Sequence, residues 1–165
     1  MNPWPDLRPV LQGVPWVIVG AVATRAYMPE RATQDLNILI RAADGAMVRE
    51  RLESAGYHHL TSLTVPPGFR VYSPQGVDVK VILGKHLWLK KALAHPRQDP
   101  AGYPVLDLPY LILMKIESSR TSILETCQSC SAWPQMTNWR AYGRQYPATL
   151  PTKPKTWNHS STWAR

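Results

Sequence analysis

Apolar residues fall in short runs separated by turn-forming residues. "VPWVIVG", Val14–Gly20, is rich in β-formers and ends in glycine, which predicts a buried strand. "AVATRAYM", Ala21–Met28, is compatible with a helix closed by Pro29. "DLNILI", Asp35–Ile40, predicts a second strand. From Asp44 to Ala55 the spacing turns helical. Met47, Val48 and Leu52 give one apolar face, Asp44 can cap the start, and Gly56 supplies the stop. "FRVYS" and "GVDVKVIL" predict two strands joined by a tight turn at Pro74-Gln75-Gly76. "HLWLKKALAH", His86–His95, predicts a basic amphipathic helix. "LPYLILMKIESSR", Leu108–Arg120, predicts another, opened by Asp107. The order is strand, helix, strand, helix, strand, strand, helix, helix. That is an α+β fold, a mixed sheet flanked by helices.

Beyond about residue 120 the pattern stops, which divides the chain into a folded domain, 1–120, and a tail, 121–165. The tail shows no sustained period of 2 or 3.6. It holds both cysteines and four of the seven tryptophans (Trp133, Trp139, Trp157, Trp163). Its composition, rich in Pro, Ser, Thr and Trp, predicts an irregular or disordered segment. The genetic code suggests why. Read one frame away, Trp133-Pro134 must encode alanine, Met136-Thr137 aspartate, Trp157-Asn158 glutamate and Trp163-Ala164 glycine. Strings consistent with those forced positions have helical apolar spacing and acidic faces, which the printed tail lacks. The tail is therefore expected to be an out-of-frame product replacing helices that would cover the sheet.

Composition narrows the classes. At 165 residues the chain is long enough for one domain with a real core. No apolar run approaches a membrane span, and the N-terminus lacks a basic-then-apolar signal pattern, so a cytoplasmic protein is expected. Two cysteines imply no disulfide framework. The net charge of +8 suggests polyanionic partners such as nucleotides or RNA. Residues 1–120 carry 14 basic and 10 acidic residues, a net of +4, and the shorter tail carries 5 and 1, again +4.

The polar residues inside the strands carry the candidate chemistry. In a strand, residues i and i+2 share a face. Asp35 and Asn37 therefore point the same way, as do Asp78 and Lys80. If the two strands are neighbours, Asp35, Asn37 and Asp78 converge at one sheet edge. Three oxygen-bearing side chains suit Mg²⁺, which prefers hard oxygen ligands and shares its shell with phosphates. Gly20-Ala21, between a strand and a helix, would let backbone N–H groups approach a phosphate. Arg25 and Arg31 are close in sequence and could pair with phosphate oxygens.

These residues carry a resemblance. A hydrophobic strand, Gly20-Ala21, then Asp35-Leu36-Asn37-Ile38 and a later Val77-Asp78-Val79 resemble the nucleotidyltransferase superfamily over roughly residues 10–120. "RATQDLNILI" and "LPYLILMKIESSR" look closer to the AbiEii-type toxins of type IV toxin–antitoxin systems. The resemblance implies transfer of a nucleotidyl group from a nucleoside triphosphate (NTP) to an RNA or protein hydroxyl. It makes Asp35 and Asp78 metal ligands, puts Asn37 in the second ligand position, and sets Lys115 near the nucleotide phosphates; Lys80, on the Asp78 face, is a further nucleotide-binding candidate. An antitoxin and tRNA are the implied partners. The sequence departs from the family at two places. Ala21 replaces a residue that often carries a hydroxyl. Asn37 is neutral, so the site loses one negative charge and one strong ligand.

Plainer readings stand beside these. Asp35 could be an ordinary strand start and Asn37 an outward polar position. His58-His59 is more often surface than a metal site. Lys85, Lys90 and Lys91 fit a solvated helix face as well as a nucleic-acid patch. Cys127-Gln128-Ser129-Cys130 is a lone CxxC without a second cluster. Three functions stay open: a nucleotidyltransferase, a non-catalytic or decayed relative that binds nucleotide or a partner, and a small basic nucleic-acid-binding protein.

Overall fold

A computed structural model describes residues 4–27 and 33–117. The predicted tail, Arg31 and the end of the Leu108–Arg120 helix lie outside the described residues.

The elements in chain order are β1 (Trp16–Val19), α1 (Gly20–Thr24), β2 (Asp35–Arg41), α2 (Gly45–Ser54), β3 (His58–Leu63), β4 (Gly68–Tyr72), β5 (Asp78–Gly84), α3 (Leu89–Ala94), β6 (Arg97–Gln98), β7 (Pro104–Val105) and α4 (Leu108–Glu117). The strands form one mixed sheet in the order β3-β4-β5-β2-β1-β7-β6. At its centre β2 and β5 run parallel, in register from Asp35↔Asp78 to Arg41↔Gly84. A parallel pair needs a crossover, and here α2, β3 and β4 supply it. β1 pairs with β2 antiparallel, Val19 opposite Asn37. β4 pairs with β5 antiparallel, Arg70 opposite Lys80 and Tyr72 opposite Asp78.

Alternation along the strands creates two unlike faces. Leu36, Ile38 and Ile40 of β2 share one face with Val79 and Val81 of β5 and Phe69 and Val71 of β4, all with 1 % exposure or less. Burying each such side chain contributes about 1.5–3 kcal/mol. α2 lies over this face. A Cβ built on Gly45 would sit 2.9 Å from the Leu83 side chain, and the Arg49 guanidinium lies 5.2 Å from the Phe69 ring centre. On the other face, one half is apolar and covered by α3: a Cβ on Gly84 would meet Leu89 at 2.7 Å and Leu39 at 3.0 Å. The other half of that face carries Asp35, Asn37, Asp78, Lys80 and Arg70.

Several expectations need correction. The sequence gives no apolar alternation over His58–Leu63, yet this segment is the edge strand β3. Its side chains are exposed or half-buried, so it leaves no hydrophobic signal. The short β6–β7 hairpin was equally silent. α3 starts at Leu89, not His86, and Trp88 just before it is buried in a stack between His86 and Tyr110, with ring centres 4.7 and 5.0 Å away. α1 ends at Thr24, and Gly20 belongs to it rather than to β1. Asp44 stands at the start of α2 but makes no side-chain cap; its carboxylate accepts from Arg41 at 2.6 and 3.0 Å. Met47 is 40 % exposed, outside the buried face of Val48 and Leu52. Asp107 does open α4, accepting the Leu108 N–H at 2.9 Å. Gly56, at φ +82°, stops α2 as expected, with the Gly56 and Tyr57 N–H groups returning to Glu53 and Leu52 at 3.0 Å. Before β1, Trp4, Leu7, Leu11 and Val14 pack into the core. No helix among the described residues is long and apolar enough to cross a membrane.

Candidate functional site

The site lies where β1 ends and β2 and β5 begin. Parallel register puts Asp35 beside Asp78, and Asn37 beside Lys80. The antiparallel β4 adds Arg70 on the same face, opposite Lys80. Three strands far apart in sequence thus bring two carboxylates, an amide and two cations onto one patch.

The hydrogen bonds within that patch are specific. Asp35 Oδ2 accepts from Lys80 Nζ at 2.7 Å and from Asn37 Nδ2 at 3.1 Å. Its Oδ1 accepts from the Thr33 hydroxyl at 2.8 Å. Burial pushes this carboxyl toward the neutral form, but the bonds from Lys80, Thr33 and Asn37 outweigh it and hold the pKa down at about 2. Asp78 Oδ2 pairs with Arg70 Nη2 at 3.1 Å. Its Oδ1 is buried with no hydrogen-bond partner, as is Arg70 Nε. All four charged side chains are partly screened, with exposures of 29 % for Asp35, 27 % for Lys80, 19 % for Asp78 and 36 % for Arg70.

Gly20 closes one wall. Its φ of +71° turns the chain sharply from β1 into α1, a conformation that costs a side-chain-bearing residue about 1–2 kcal/mol. A Cβ there would also lie 3.3 Å from Asn37 Nδ2. The turn favours glycine, and any side chain there would also press on the Asn37 amide.

The structure thus brings together Gly20, Asp35, Asn37, Asp78 and Lys80 of the residues named from sequence. Ala21 lies in the first turn of α1, and its carbonyl accepts from the Thr24 hydroxyl at 2.6 Å. Lys115 occupies the last turn of α4. Arg25 is directed elsewhere. Its Nε donates to Asp99 Oδ2 at 2.7 Å, and an Nη2 bond joins the same oxygen. Asp99 is fully buried and also accepts the Ala101 and Tyr103 N–H groups, so Arg25 ties α1 to the β6–β7 turn. Sequence reasoning missed Arg70 and Thr33. Arg70 had a usable signal. Ser73 N–H bonds the Val77 carbonyl at 2.9 Å across the predicted turn, and counting back three pairs from there sets Arg70 opposite Lys80.

The donor set fits one hard cation. Asp35, Asp78 and the Asn37 amide oxygen are oxygen donors on one patch, and Asp78 Oδ1 is a buried acceptor that a cation would satisfy. Among the described residues no group of three His, Cys, Asp or Glu side chains gathers at any point, so the third oxygen here is an amide.

No protein-family model matches the chain. No curated protein matches it in sequence. Solved structures do. A Thermotoga maritima protein assigned as a nucleotidyltransferase, TM1012, superposes with a TM-score of 0.51 at 14 % identity, covering 74 % of this chain and 88 % of that one. The antibiotic-resistance factor ANT(2'')-Ia superposes with a TM-score of 0.51 at 15 % identity, covering 83 % and 86 %. At such identities the likeness is one of architecture. The mixed seven-stranded sheet with its flanking helices is the nucleotidyltransferase fold.

Proposed function

We propose that this chain is a weak, Mg²⁺-dependent nucleotidyltransferase that passes a nucleotidyl group from an NTP to a hydroxyl of RNA or protein. One observation carries the reading: the parallel register that sets Asp35 beside Asp78, with Asn37 on the same face. In this reading Asp35, Asp78 and the Asn37 amide oxygen hold Mg²⁺. When bound, the ion would neutralise triphosphate charge and favour ionisation of the attacking hydroxyl. The hydroxyl gives its proton to solvent, its oxygen attacks the α-phosphorus, the bond from that phosphorus to the α–β bridging oxygen breaks, and pyrophosphate leaves. Lys115, by the resemblance, faces the phosphates. Asn37 accounts for the weakness, since an amide supplies neither the charge nor the ligand strength of a carboxylate.

Narrower proposals follow from "RATQDLNILI" and "LPYLILMKIESSR". The chain is a toxin of the AbiEii kind, tRNA is its acceptor, and an antitoxin is its partner. The out-of-frame reading of the tail belongs with them, and the coding DNA decides it: stops throughout the alternative frame over 121–165 would end it.

The test compares the native chain with Asn37→Asp, each incubated with labelled NTPs, Mg²⁺ and tRNA. The expected result is faint labelling by the native chain and a clear gain in the variant. Absence of labelled product from both forms sinks the enzyme. A second reading, nucleotide binding without transfer, is favoured by one observation: each carboxylate already has its own cation, Lys80 for Asp35 and Arg70 for Asp78. NTP binding by both forms without product would establish it.

A further inference from the structure

We propose that Lys80 is the site's resident counter-ion. In the nucleotide-free protein it holds Asp35 and keeps free metal out, and it moves onto the triphosphate when a metal–nucleotide complex arrives. The inference rests on the nucleotide-site reading above and goes beyond it, because it assigns Lys80 a role in the order of binding.

The geometry is asymmetric. Lys80 is in register with Asn37, yet its ammonium reaches diagonally to Asp35 Oδ2, 2.7 Å away and 45 positions earlier in the chain. That oxygen also takes the Asn37 amide, and its twin takes Thr33. Three donors therefore occupy Asp35, and both of its oxygens are engaged. Asp78 keeps one oxygen open, since its Oδ1 has no partner. A divalent cation approaching the pair would meet one open carboxylate and one blocked by an ammonium at contact distance.

The charge count points the same way. Asp35 and Asp78 are matched one-to-one by Lys80 and Arg70, so these four side chains sum to zero. A carboxylate at position 37 would leave the patch net negative and in need of an external cation. Asparagine removes that need, and the four charges balance without an added ion. A free Mg²⁺ ion then gains little by entering. A metal already carrying a triphosphate brings an anion for the displaced ammonium to pair with. Lys80 suits such an exchange. Its flexible four-carbon stem carries a compact charge, and the side chain is 27 % exposed, so it can swing without unfolding the strand.

The experiment measures binding, not turnover. Mn²⁺ affinity without nucleotide is read by electron paramagnetic resonance, and NTP affinity with Mn²⁺ present by calorimetry. The full chain is compared with Lys80→Gln, Lys80→Met and Lys80→Arg, with circular dichroism to confirm folding. Both neutral variants should bind free Mn²⁺ at least tenfold more tightly than the native chain. The same two variants should bind Mn²⁺–NTP at least tenfold more weakly. Lys80→Arg should behave as native in both respects. Lys80→Gln can still donate a hydrogen bond to Asp35, so it guards against a folding defect in Lys80→Met. Unchanged free-Mn²⁺ affinity in Lys80→Gln overturns the proposal, as does unchanged NTP affinity. Failure of the nucleotide-site reading looks different: the native chain would bind no NTP, while the free-metal comparison would still judge whether Lys80 guards Asp35.

Discussion

Replacing Asp99 should unfold the β6–β7 end of the sheet at a measurable cost. Its carboxylate has no exposure, and the Arg25 side chain has 12 %. Three groups depend on it: the Arg25 guanidinium, the Ala101 N–H at 2.9 Å and the Tyr103 N–H at 2.8 Å. Removing one partner of a buried ion pair costs about 3–5 kcal/mol, since the remaining charge loses its counter-ion without regaining water. Asp99→Ala should fall in that range. Asp99→Asn keeps an oxygen for the two backbone N–H groups and loses only the charged bond, so it should cost about 1.5–3 kcal/mol. With a urea m-value of about 1.5–2 kcal/mol/M for a domain of this size, the alanine variant should lower the unfolding midpoint by about 2 M. Equilibrium urea unfolding by circular dichroism measures it. Adding Arg25→Met to Asp99→Ala closes a double-mutant cycle, and the coupling should exceed about 1 kcal/mol. A cost below about 1 kcal/mol for Asp99→Ala, or purely additive effects, would refute the ion-pair argument.

Other outcomes follow from the same geometry. The Asp35 carboxyl is held at about 2, below its ordinary 3.8, by Lys80, Thr33 and Asn37 against the opposing effect of burial. A depressed folded pKa gives stability that is complete above about pH 4 and is lost as pH falls toward 2, so Asp35→Asn should flatten the acid limb of a stability–pH curve by about 1–2 kcal/mol after solvent screening. An unchanged slope between pH 4 and 2 would contradict this. Gly20→Ala should cost about 1–2 kcal/mol from its φ of +71° and should displace Asn37 Nδ2, 3.3 Å from the new Cβ; urea unfolding and the amide's NMR shift report the two effects separately. Phe69→Ala removes a ring that is 1 % exposed beneath Arg49 and should cost about 3–5 kcal/mol in the same assay.

Strands with strong apolar content were readable from sequence because burial writes itself as pattern. Val17, Ile18, Ile38, Val79 and Val81 are at 1 % exposure or less, and the runs that contain them predicted β1, β2 and β5. β3 was not readable, since His58–Leu63 sits at the sheet edge with no buried side chain to mark a face. The helix predicted from His86 starts only at Leu89, and Trp88 just before it is buried in a stack against His86 and Tyr110. In the site, the i, i+2 rule placed Asp35 with Asn37 and Asp78 with Lys80, and the parallel β2–β5 register then joined the two pairs. The rule says nothing of diagonal reach. It could not show that Lys80 would bond Asp35, or that Asp78 would find its cation on a third strand. Arg25 and Asp99 lie 74 positions apart, and no local pattern links them.

The Asp35↔Asp78 register has a consequence for how the chain folds. Zipping β2 onto β5 presses two like charges together at the very first pair of the ladder, while the loop closed by that pairing is long and entropically costly. Such a step opposes itself unless cations arrive with the strands. Lys80 travels on β5, and Arg70 reaches Asp78 through the local β4–β5 hairpin, which can form before the long crossover closes. The hairpin therefore delivers a strand whose acid is already quenched and whose lysine is aimed at the incoming Asp35. Thus the two cations paired with these carboxylates also offset the like-charge repulsion within the central pair of strands.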